Sequence, residues 1–211
     1  MKEYHKIQTV FKRDPANKNK TLIEGDYSIP EFEYLKDNIW VFTEKVNGTN
    51  IRIMFDGNEI TFGGKTDNAS ISAVLIKRLQ NRFFPQLGKF KEKFGTDAVS
   101  VCFYGEGYGA KIIKGGANYR ADQDFVLFDV KIDNWWLERH NVEDIAKHFG
   151  LDVVPIIGEG TLHEMVEMAR KGFNSIWGDF LAEGIVARPK AELFARNGER
   201  IIAKIKHRDF I

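Results

Sequence analysis

Cysteine is almost missing from this 211-residue sequence, which contains one copy, Cys102. A single thiol cannot build a disulfide framework, and its apolar neighbours predict a buried, inert side chain. No apolar run approaches the roughly 18 residues that a membrane-spanning helix needs, and the first residues do not begin a signal peptide. These absences lead us to expect a cytoplasmic protein that has no membrane partner.

An excess of charge of either sign is lacking as well. Lys and Arg together number 31 and Asp and Glu 30, which gives a formal net charge of +1. This balance provides no global attraction to nucleic acid, so a site for a polyanion depends on local clustering. The five histidines show no metal-ligand spacing with one another or with Cys102, which disfavours a zinc site.

Apolar residues make up 43% of the chain and aromatic residues 13%, which is typical of a globular protein with a proper core. The length suits one domain, or one with a small appendage. We expect a single domain over residues 1–211, because no repeat, low-complexity tract or linker divides the chain.

The chain is organised around one stretch, Glu44-Lys45-Val46-Asn47-Gly48-Thr49-Asn50. Both of its flanks alternate apolar and polar residues, which predicts half-buried strands. Asn-Gly is a strong signal for a tight turn, because both residues tolerate positive φ. Lys45 is therefore expected at a strand end beside a tight turn. On this local pattern alone, an exposed hairpin lysine is favoured over a covalent nucleophile.

The rest of the chain predicts alternating strands and helices. A second hairpin is expected at Asp56–Asn58, and a helix from Ser70 to Pro85 that buries Val74 and exposes Arg78 and Arg82 to water. The remaining predicted elements are strands at 98–104 and 124–130, helices after Asn141 and Thr161, and paired strands at 182–188 and 200–206.

Ionisable side chains gather at strand ends. Alternation places Lys204 and Lys206 on one face of a strand, where they repel each other unless an anion such as phosphate lies between them. Carboxylates suit a divalent cation or sugar hydroxyls, and Phe128 offers a face on which a base can stack. Together with Lys45, these residues predict a covalent lysyl-nucleotide site. The carboxylates concerned are Glu106 and Glu183. Asp129 also lies at a strand end, and for it a bond to the backbone and a role in the site are equal alternatives.

This arrangement resembles the covalent nucleotidyltransferases, which include polynucleotide ligases and capping enzymes. Lys45 to Gly48 matches their nucleotide-accepting Lys-x-x-Gly motif. Within this superfamily the chain most resembles RNA ligases of the bacteriophage T4 RNA ligase 2 type, through Gly48-Thr49-Asn50 and the Arg-Asn-Gly-x-Arg run at 196–200. The other elements that match, in the family's order, are Phe62–Thr66, Phe103–Glu106, Phe125–Asp129, Glu183–Val186 and Lys204–Lys206.

The resemblance implies an α+β nucleotidyltransferase fold (the ligase adenylylation domain), with twisted, mainly antiparallel sheets flanked by helices around an ATP cleft. It implies an ATP-dependent RNA ligase that forms lysyl-AMP at Lys45, passes AMP to an RNA 5′-phosphate and seals it to a 3′-hydroxyl. A DNA ligase or a capping-type enzyme is the alternative, although DNA ligases usually have arginine where this chain has Asn50. A non-catalytic module that binds RNA ends is another.

The resemblance also implies roles for particular residues. The catalytic set is Lys45, Glu183, Lys204 and Lys206, and Glu183 would serve a metal ion, Mg²⁺ or Mn²⁺. The residues that would contact the nucleotide are Glu44, Val46, Asn50, Lys65, Glu106, Phe128, Lys204 and Lys206. Many relatives have arginine in place of Lys65, so its contact with phosphate or ribose would be a point charge rather than a bidentate bond.

The expected partner is RNA with 5′-phosphate and 3′-hydroxyl ends, bound by a monomer. Because the sequence stops at Ile211, we expect no separate C-terminal RNA-binding or OB domain. For the basic residues of Tyr4–Lys20, and for Lys111, Lys114 and Arg120, exposure to solvent is favoured over contact with RNA. Trp135 and Trp136 are expected in the core rather than as a stacking platform.

Overall fold

A computed structural model of the protein describes residues 3–97 and 99–211. The strands are β1 (Gln8–Thr9), β2 (Phe11–Arg13), β3 (Leu22–Tyr27), β4 (Trp40–Glu44), β5 (Thr49–Phe55), β6 (Ile60–Gly63), β7 (Val101–Gly109), β8 (Gln123–Ile132), β9 (Trp135–Trp136), β10 (Asp152–Val153), β11 (Ile156–Gly160), β12 (Gly184–Pro189) and β13 (Ala203–Lys206). The helices are α1 (Pro30–Tyr34), α2 (Ala73–Phe83), α3 (Leu87–Phe94), α4 (Arg139–Phe149) and α5 (Leu162–Lys171). In the described part of the chain, none of these helices is long and apolar enough to cross a bilayer.

The described residues divide into two compact units. One unit contains residues 3–4 and 47–154, and the other contains residues 5–46 and 155–211. Each unit has its own sheet and its own hydrophobic cluster. The prediction of one domain over residues 1–211 stays a prediction.

The sheet of the first unit has the strand order β10-β8-β7-β5-β6, and β9 pairs with β8. Its pairs are antiparallel apart from β10 with β8. Ile51, Ile53 and Phe55 are fully buried in a cluster that also includes residues of α2, α3 and α4. Alternation along β5 therefore sends Asn50 and Arg52 to the opposite face of the sheet.

The sheet of the second unit has the strand order β1-β13-β12-β4-β11. Its pairs are antiparallel apart from β1 with β13, and β2 and β3 form a separate two-stranded ribbon. Trp40 and Phe42 of β4 enter a core that also contains Leu162 and Met165 of α5. The α+β class and the mainly antiparallel sheets are confirmed.

The tight turn predicted at Asn47–Gly48 is wrong. β4 pairs with β11 and β12, whereas β5 pairs with β6 and β7, so these residues connect two sheets rather than two strands of a hairpin. Neither residue has a positive φ. Gly48 is needed for a different reason, because a Cβ there would lie 2.2 Å from the carbonyl oxygen of Gly107.

The hairpin predicted at Asp56–Asn58 is confirmed. β5 and β6 pair up to Phe55 and Ile60, and Gly57 has a φ of 96°. One oxygen of the Asp56 carboxylate accepts a hydrogen bond from the backbone N–H of Asn58 at 2.8 Å, which is the local bond that favours aspartate in turns.

Other predictions are corrected in detail. The Ser72 side chain caps α2. Leu75 of this helix is buried as predicted, but Val74, which was also predicted to be buried, is 64% exposed. The strand predicted at 98–104 begins at Val101, and residue 98 lies outside the described residues. The prediction of a core position is wrong for Trp135, which is 78% exposed.

Arg78 is exposed as predicted and the Arg82 side chain is 20% exposed, but both also pair with a carboxylate. Both guanidinium groups bond to the Asp124 carboxylate, at 3.0 and 2.7 Å, and Arg120 adds a third bond at 2.9 Å. Burial acts to raise the pKa of the Asp124 carboxyl, but the hydrogen bond from Arg78 and the charge of Arg82 outweigh it and lower the pKa. A carboxylate with a lowered pKa stabilises the folded state above its unfolded pKa.

We therefore expect Asp124→Asn to lower the free energy of unfolding at pH 7 by about 2 kcal/mol, since the cluster loses its anion while the arginines are partly solvated. This difference in the free energy of unfolding should begin to shrink when the pH falls below 3.8, the ordinary pKa of the carboxyl group. It should keep shrinking until the pH has passed the lowered pKa that Asp124 has in the folded state. Urea unfolding at pH 7 and pH 3 measures this difference. A difference that is equal at both pH values would contradict the ion cluster.

Candidate active site

Lys45 directly follows β4, as predicted for a strand end. Its backbone N–H donates to the carbonyl oxygen of Gly184 in β12 at 2.9 Å, and Gly184 is in register with Lys206 in β13. Lys45, Gly184 and Lys206 therefore form one row across three neighbouring strands. The row brings the predicted nucleophile and one of the two predicted C-terminal lysines together.

Gly184, in the middle of this row, has no side chain to separate the two lysines. A Cβ at this position would lie 2.1 Å from the carbonyl oxygen of Ile205, which is backbone and cannot rotate away. Any other residue here would push β12 and β13 apart. The glycine is thus required by the pairing that sets the distance between the lysines.

The Glu183 carboxylate bridges the two lysines. One of its oxygens lies 2.6 Å from the Lys45 Nζ and the other lies 2.6 Å from the Lys206 Nζ. The Glu183 side chain is 9% exposed, and those of Lys45 and Lys206 are 21% and 15% exposed. Because an ammonium group has three N–H donors, each lysine keeps donors for a further anion.

A phosphate between Lys204 and Lys206 stays a prediction. The anion that the structure shows is the Glu183 carboxylate, and it lies between Lys45 and Lys206. Lys204 lies two residues earlier on β13, on the same face as Lys206, as predicted, while Ala203 and Ile205 are buried on the other face. Lys204 is in register with Val186 rather than with Gly184. The contact of Lys204 with a nucleotide stays a prediction.

Glu44 fixes the end of β4 just before Lys45. It is 1% exposed, and its carboxylate accepts hydrogen bonds from the Ser175 hydroxyl at 2.6 Å and from the Ile176 backbone N–H at 3.0 Å. Val46, on the other side of Lys45, is 3% exposed. These contacts hold the backbone on both sides of Lys45, and direct contact of Glu44 or Val46 with a nucleotide stays a prediction.

Asp209 supports Lys206 and was missed by sequence reasoning. Its carboxylate accepts the backbone N–H of Lys206 at 2.9 Å and pairs with the Arg13 guanidinium at 2.9 Å. The Asp209 side chain is 2% exposed. The basic N-terminal residues thus include one that neutralises a buried carboxylate rather than facing solvent. An aspartate three residues after the last lysine was the available signal.

A second group of predicted residues lies in the first unit. Asn50 of β5 is in register with Glu106 of β7. Among the nine residues of β7 only Glu106 is not fully buried, and from Gln123 to Val130 of β8 only Phe128 is not. Glu106 and Phe128, which were both predicted to contact the nucleotide, are therefore the partly exposed positions in two otherwise buried stretches of strand.

Asn50 has a side-chain hydrogen-bond acceptor that the described residues leave unsatisfied. Its side-chain oxygen is buried and has no hydrogen-bond partner among the described residues. A buried acceptor without a partner costs about 1–3 kcal/mol, so such an atom is typical of a site completed by a bound group. A sugar hydroxyl, a water on a metal ion or another donor would fit it.

The other predicted nucleotide contacts have defined surroundings. The Phe128 ring meets Tyr4 edge-on with centroids 5.1 Å apart, and the Tyr4 hydroxyl donates to the Asp129 carboxylate at 2.7 Å. Asp129 thus bonds to a side chain, and Tyr4 is not a solvated residue. Lys65 is exposed in a turn that the buried Arg52 fixes by donating to the Gly64 carbonyl at 2.9 Å.

A divalent metal would find few protein ligands. In the part of the chain that the structure describes, no three His, Cys, Asp or Glu side chains form a metal-binding group. Glu183 is the predicted ligand, and both of its oxygens bond to lysines here. Glu183 would have to release one lysine to bind Mg²⁺, which keeps several waters and binds through one or two carboxylates and substrate phosphates.

Comparison with known proteins identifies the family and the fold. A family model described as RNA ligase matches residues 38–206. The chain is similar to solved structures of the Naegleria gruberi RNA ligase. A ligand-free mutant matches with a TM-score of 0.65 and 17% identity, over 97% of this chain and 56% of that one. A mutant with AMP and Mn matches with a TM-score of 0.63 and 18% identity, over 95% and 56%, and a mutant with ATP and Mn with a TM-score of 0.65 and 18% identity, over 94% and 59%. At this identity the likeness establishes the fold. The chain spans a little over half the length of these structures.

We expect Asp209→Ala to lower the free energy of unfolding by about 3 kcal/mol, because the Arg13 charge and the Lys206 N–H lose their partner. Urea unfolding of Asp209→Ala, Arg13→Met and the double variant gives their coupling, which should be about 1 kcal/mol or more. Additive effects would show that the two side chains do not interact.

Proposed function

The chain belongs to the RNA ligase family, and we propose that it is an ATP-dependent RNA ligase whose nucleophile is Lys45. One observation carries the proposal: a single carboxylate, Glu183, holds the amines of Lys45 and Lys206 at 2.6 Å each. An amine held in a row with a second cation is suited to attack a phosphate that the second cation binds.

In the proposed first step, the Lys45 Nζ attacks the α-phosphorus of ATP. A bond forms between nitrogen and phosphorus, the bond from phosphorus to the bridging oxygen breaks, and pyrophosphate leaves. The Lys45 ammonium group would lose one proton before the attack, which gives the nitrogen a lone pair, and a second proton to water once the nitrogen is bonded to phosphorus. The first proton needs an acceptor within reach of the amine. The nearest acceptor is the Glu183 oxygen at 2.6 Å, within the reach that proton transfer requires.

Lys206 and Lys204 would stabilise the charge that develops on the α-phosphate. The Lys206 amine is fixed by Glu183, and its backbone is fixed by Asp209, so it needs little reorganisation during the reaction. Removing one such preorganised donor typically lowers the rate by about 10²–10³-fold. Phosphoryl transfer depends mainly on this kind of positioning and charge neutralisation.

The face of β5, β7 and β8 would bind the nucleoside. Glu106 would contact the ribose, Phe128 would stack on adenine, and Asn50 would bond to phosphate or to water on the metal. Lys65 would add a positive charge near the phosphates. A bound Mg²⁺ or Mn²⁺, with Glu183 as its protein ligand, would neutralise phosphate charge.

In the later steps, we propose that AMP passes to an RNA 5′-phosphate and that an RNA 3′-hydroxyl displaces it to form the phosphodiester. The protein would act as a monomer inside the cell. Because the chain spans just over half of the Naegleria gruberi structures, adenylylation and sealing are separate proposals with separate tests.

A DNA ligase or a GTP-using capping enzyme is the nearest alternative. Asn50 stands where DNA ligases usually have arginine, and its buried oxygen can only accept a hydrogen bond, whereas arginine only donates. Incubation with labelled ATP or GTP separates these enzymes, because only the true donor leaves a covalent adduct. A non-catalytic module that binds RNA ends would form no adduct with either.

We expect intact mass to rise by one AMP after incubation with ATP and Mg²⁺, and tandem mass spectrometry to place the adduct on Lys45. Lys45→Ala should show no gain, because the attacking atom is absent. Lys206→Ala should form the adduct about 10²–10³-fold more slowly, since one charge donor is lost.

Lys190→Ala is the matched control for these variants. Lys190 follows β12 in the same unit and pairs with the exposed Glu159, so its loss removes one lysine charge without touching the row. An adduct that persists in Lys45→Ala would show that the nucleophile is a different residue.

A further inference from the structure

The loop between β7 and β8, residues 110–122, is attached to the segment that follows Lys45. The Tyr119 hydroxyl oxygen accepts a hydrogen bond from the Asn47 backbone N–H at 3.2 Å. Asn47 is two residues after Lys45, so their Cα atoms are at most about 7 Å apart. The close approach of Gly48 to Gly107, just before the loop, adds a second contact.

The loop is closed and held in one conformation. The Ala110 N–H donates to the Arg120 carbonyl at 3.1 Å and the Asp122 carbonyl at 3.0 Å, so the two ends of the loop meet. The Arg120 guanidinium pairs with Asp122 at 2.5 Å and with Asp124 at 2.9 Å. Gly116 cannot be replaced freely, because a Cβ would lie 2.0 Å from the Gly109 carbonyl oxygen.

Two lysines project from this rigid loop. Lys111 and Lys114 are exposed, and neither makes a hydrogen bond or an ion pair with the residues that the structure describes. Lys111 has a φ of 65°, a conformation that costs free energy in a residue other than glycine and that is found more often at functional sites. The single acidic residue of the loop, Asp122, is paired with Arg120.

We propose that Lys111 and Lys114 bind the phosphate backbone of the RNA strand next to the ends being joined. The inference rests on the proposed function and adds a surface for its substrate. Two lysines without partners offer six N–H donors as point charges, which suits phosphates of any base sequence. Because the loop is already ordered, little conformational entropy is lost on binding.

The proposal predicts a change in the salt dependence of RNA binding. Each phosphate contact with a single strand contributes about −0.7 to the slope of log K against log salt concentration. Loss of two contacts should therefore make the slope less steep by about 1.4. The base sequence of the RNA should not affect the difference.

The test is the double variant Lys111→Gln/Lys114→Gln, which keeps polar, flexible side chains and removes both charges. Fluorescence anisotropy with a 5′-phosphorylated single-stranded RNA measures Kd over a range of salt concentrations, and intact mass measures the AMP adduct. We expect Kd to rise about tenfold at low salt, the slope to change as above, and the adduct to form at the wild-type rate.

Lys91→Gln/Lys93→Gln is the matched control. These lysines lie in the last turn of α3. The residues just after this helix lie against the β5–β6 turn, because a Cβ on Gly57 in that turn would be 2.4 Å from the carbonyl oxygen of Thr96. The β5–β6 turn follows Phe55, at the other end of β5 from Thr49, which is in register with Gly107. The control removes the same charge at the opposite end of the strand.

The outcomes separate the proposals. Three results would overturn the RNA surface: the loop variant binds RNA as tightly as the wild type, the control variant loses as much RNA affinity as the loop variant, or the wild type binds no RNA. A raised KM for ATP with unchanged RNA affinity would assign the loop to the nucleotide and overturn it too. Failure of the wild type to form the adduct would instead contradict the proposed function.

Discussion

The ion bridge Lys45–Glu183–Lys206 is the interaction on which the candidate site depends. Two ammonium groups in one row of a sheet repel each other, and a carboxylate between them removes that repulsion. The same carboxylate limits where each amine can lie. The positions of the proposed nucleophile and of the proposed phosphate-binding cation are therefore set by the Glu183 carboxylate.

The surrounding fold holds this bridge at several points. β12 lies between β4 and β13, so both lysines are placed by hydrogen bonds to one central strand. Glu44 fixes the backbone before Lys45, and Asp209 fixes the backbone of Lys206. Each support is a buried carboxylate that accepts a backbone N–H. Such bonds are strong and directional, which suits a site that needs accurate geometry.

Sequence reasoning predicted the strand positions of the candidate site residues better than the connections between the strands. The period-2 pattern placed Lys45 at a strand end and Lys204 and Lys206 on one face, because alternation follows from strand geometry alone. The Asn-Gly signal at residue 47 failed, because Gly48 is required by a close approach to Gly107, which is remote in sequence. Local propensity carries no information about such a contact.

The buried ion pairs were the other part that could not be predicted. Arg13 with Asp209, and Arg78 with Asp124, join residues 196 and 46 positions apart. The periodicity of α2 places Arg78 on a polar face but does not reveal a buried partner on β8. The role of Glu183 as a bridge was also hidden, since the sequence shows a carboxylate beside a strand and not its two bonds.

The pH dependence of the first chemical step tests the role of Glu183 most directly. Pyrophosphate release in a single turnover, with saturating ATP and Mg²⁺, is measured for the wild type and Glu183→Gln over a range of pH. If Glu183 accepts the Lys45 proton, the variant should be slower by about 10²-fold or more near pH 7. The gap should narrow in alkaline buffer, where hydroxide removes that proton. A rate ratio that is the same at every pH, or a variant as fast as the wild type, would contradict the account.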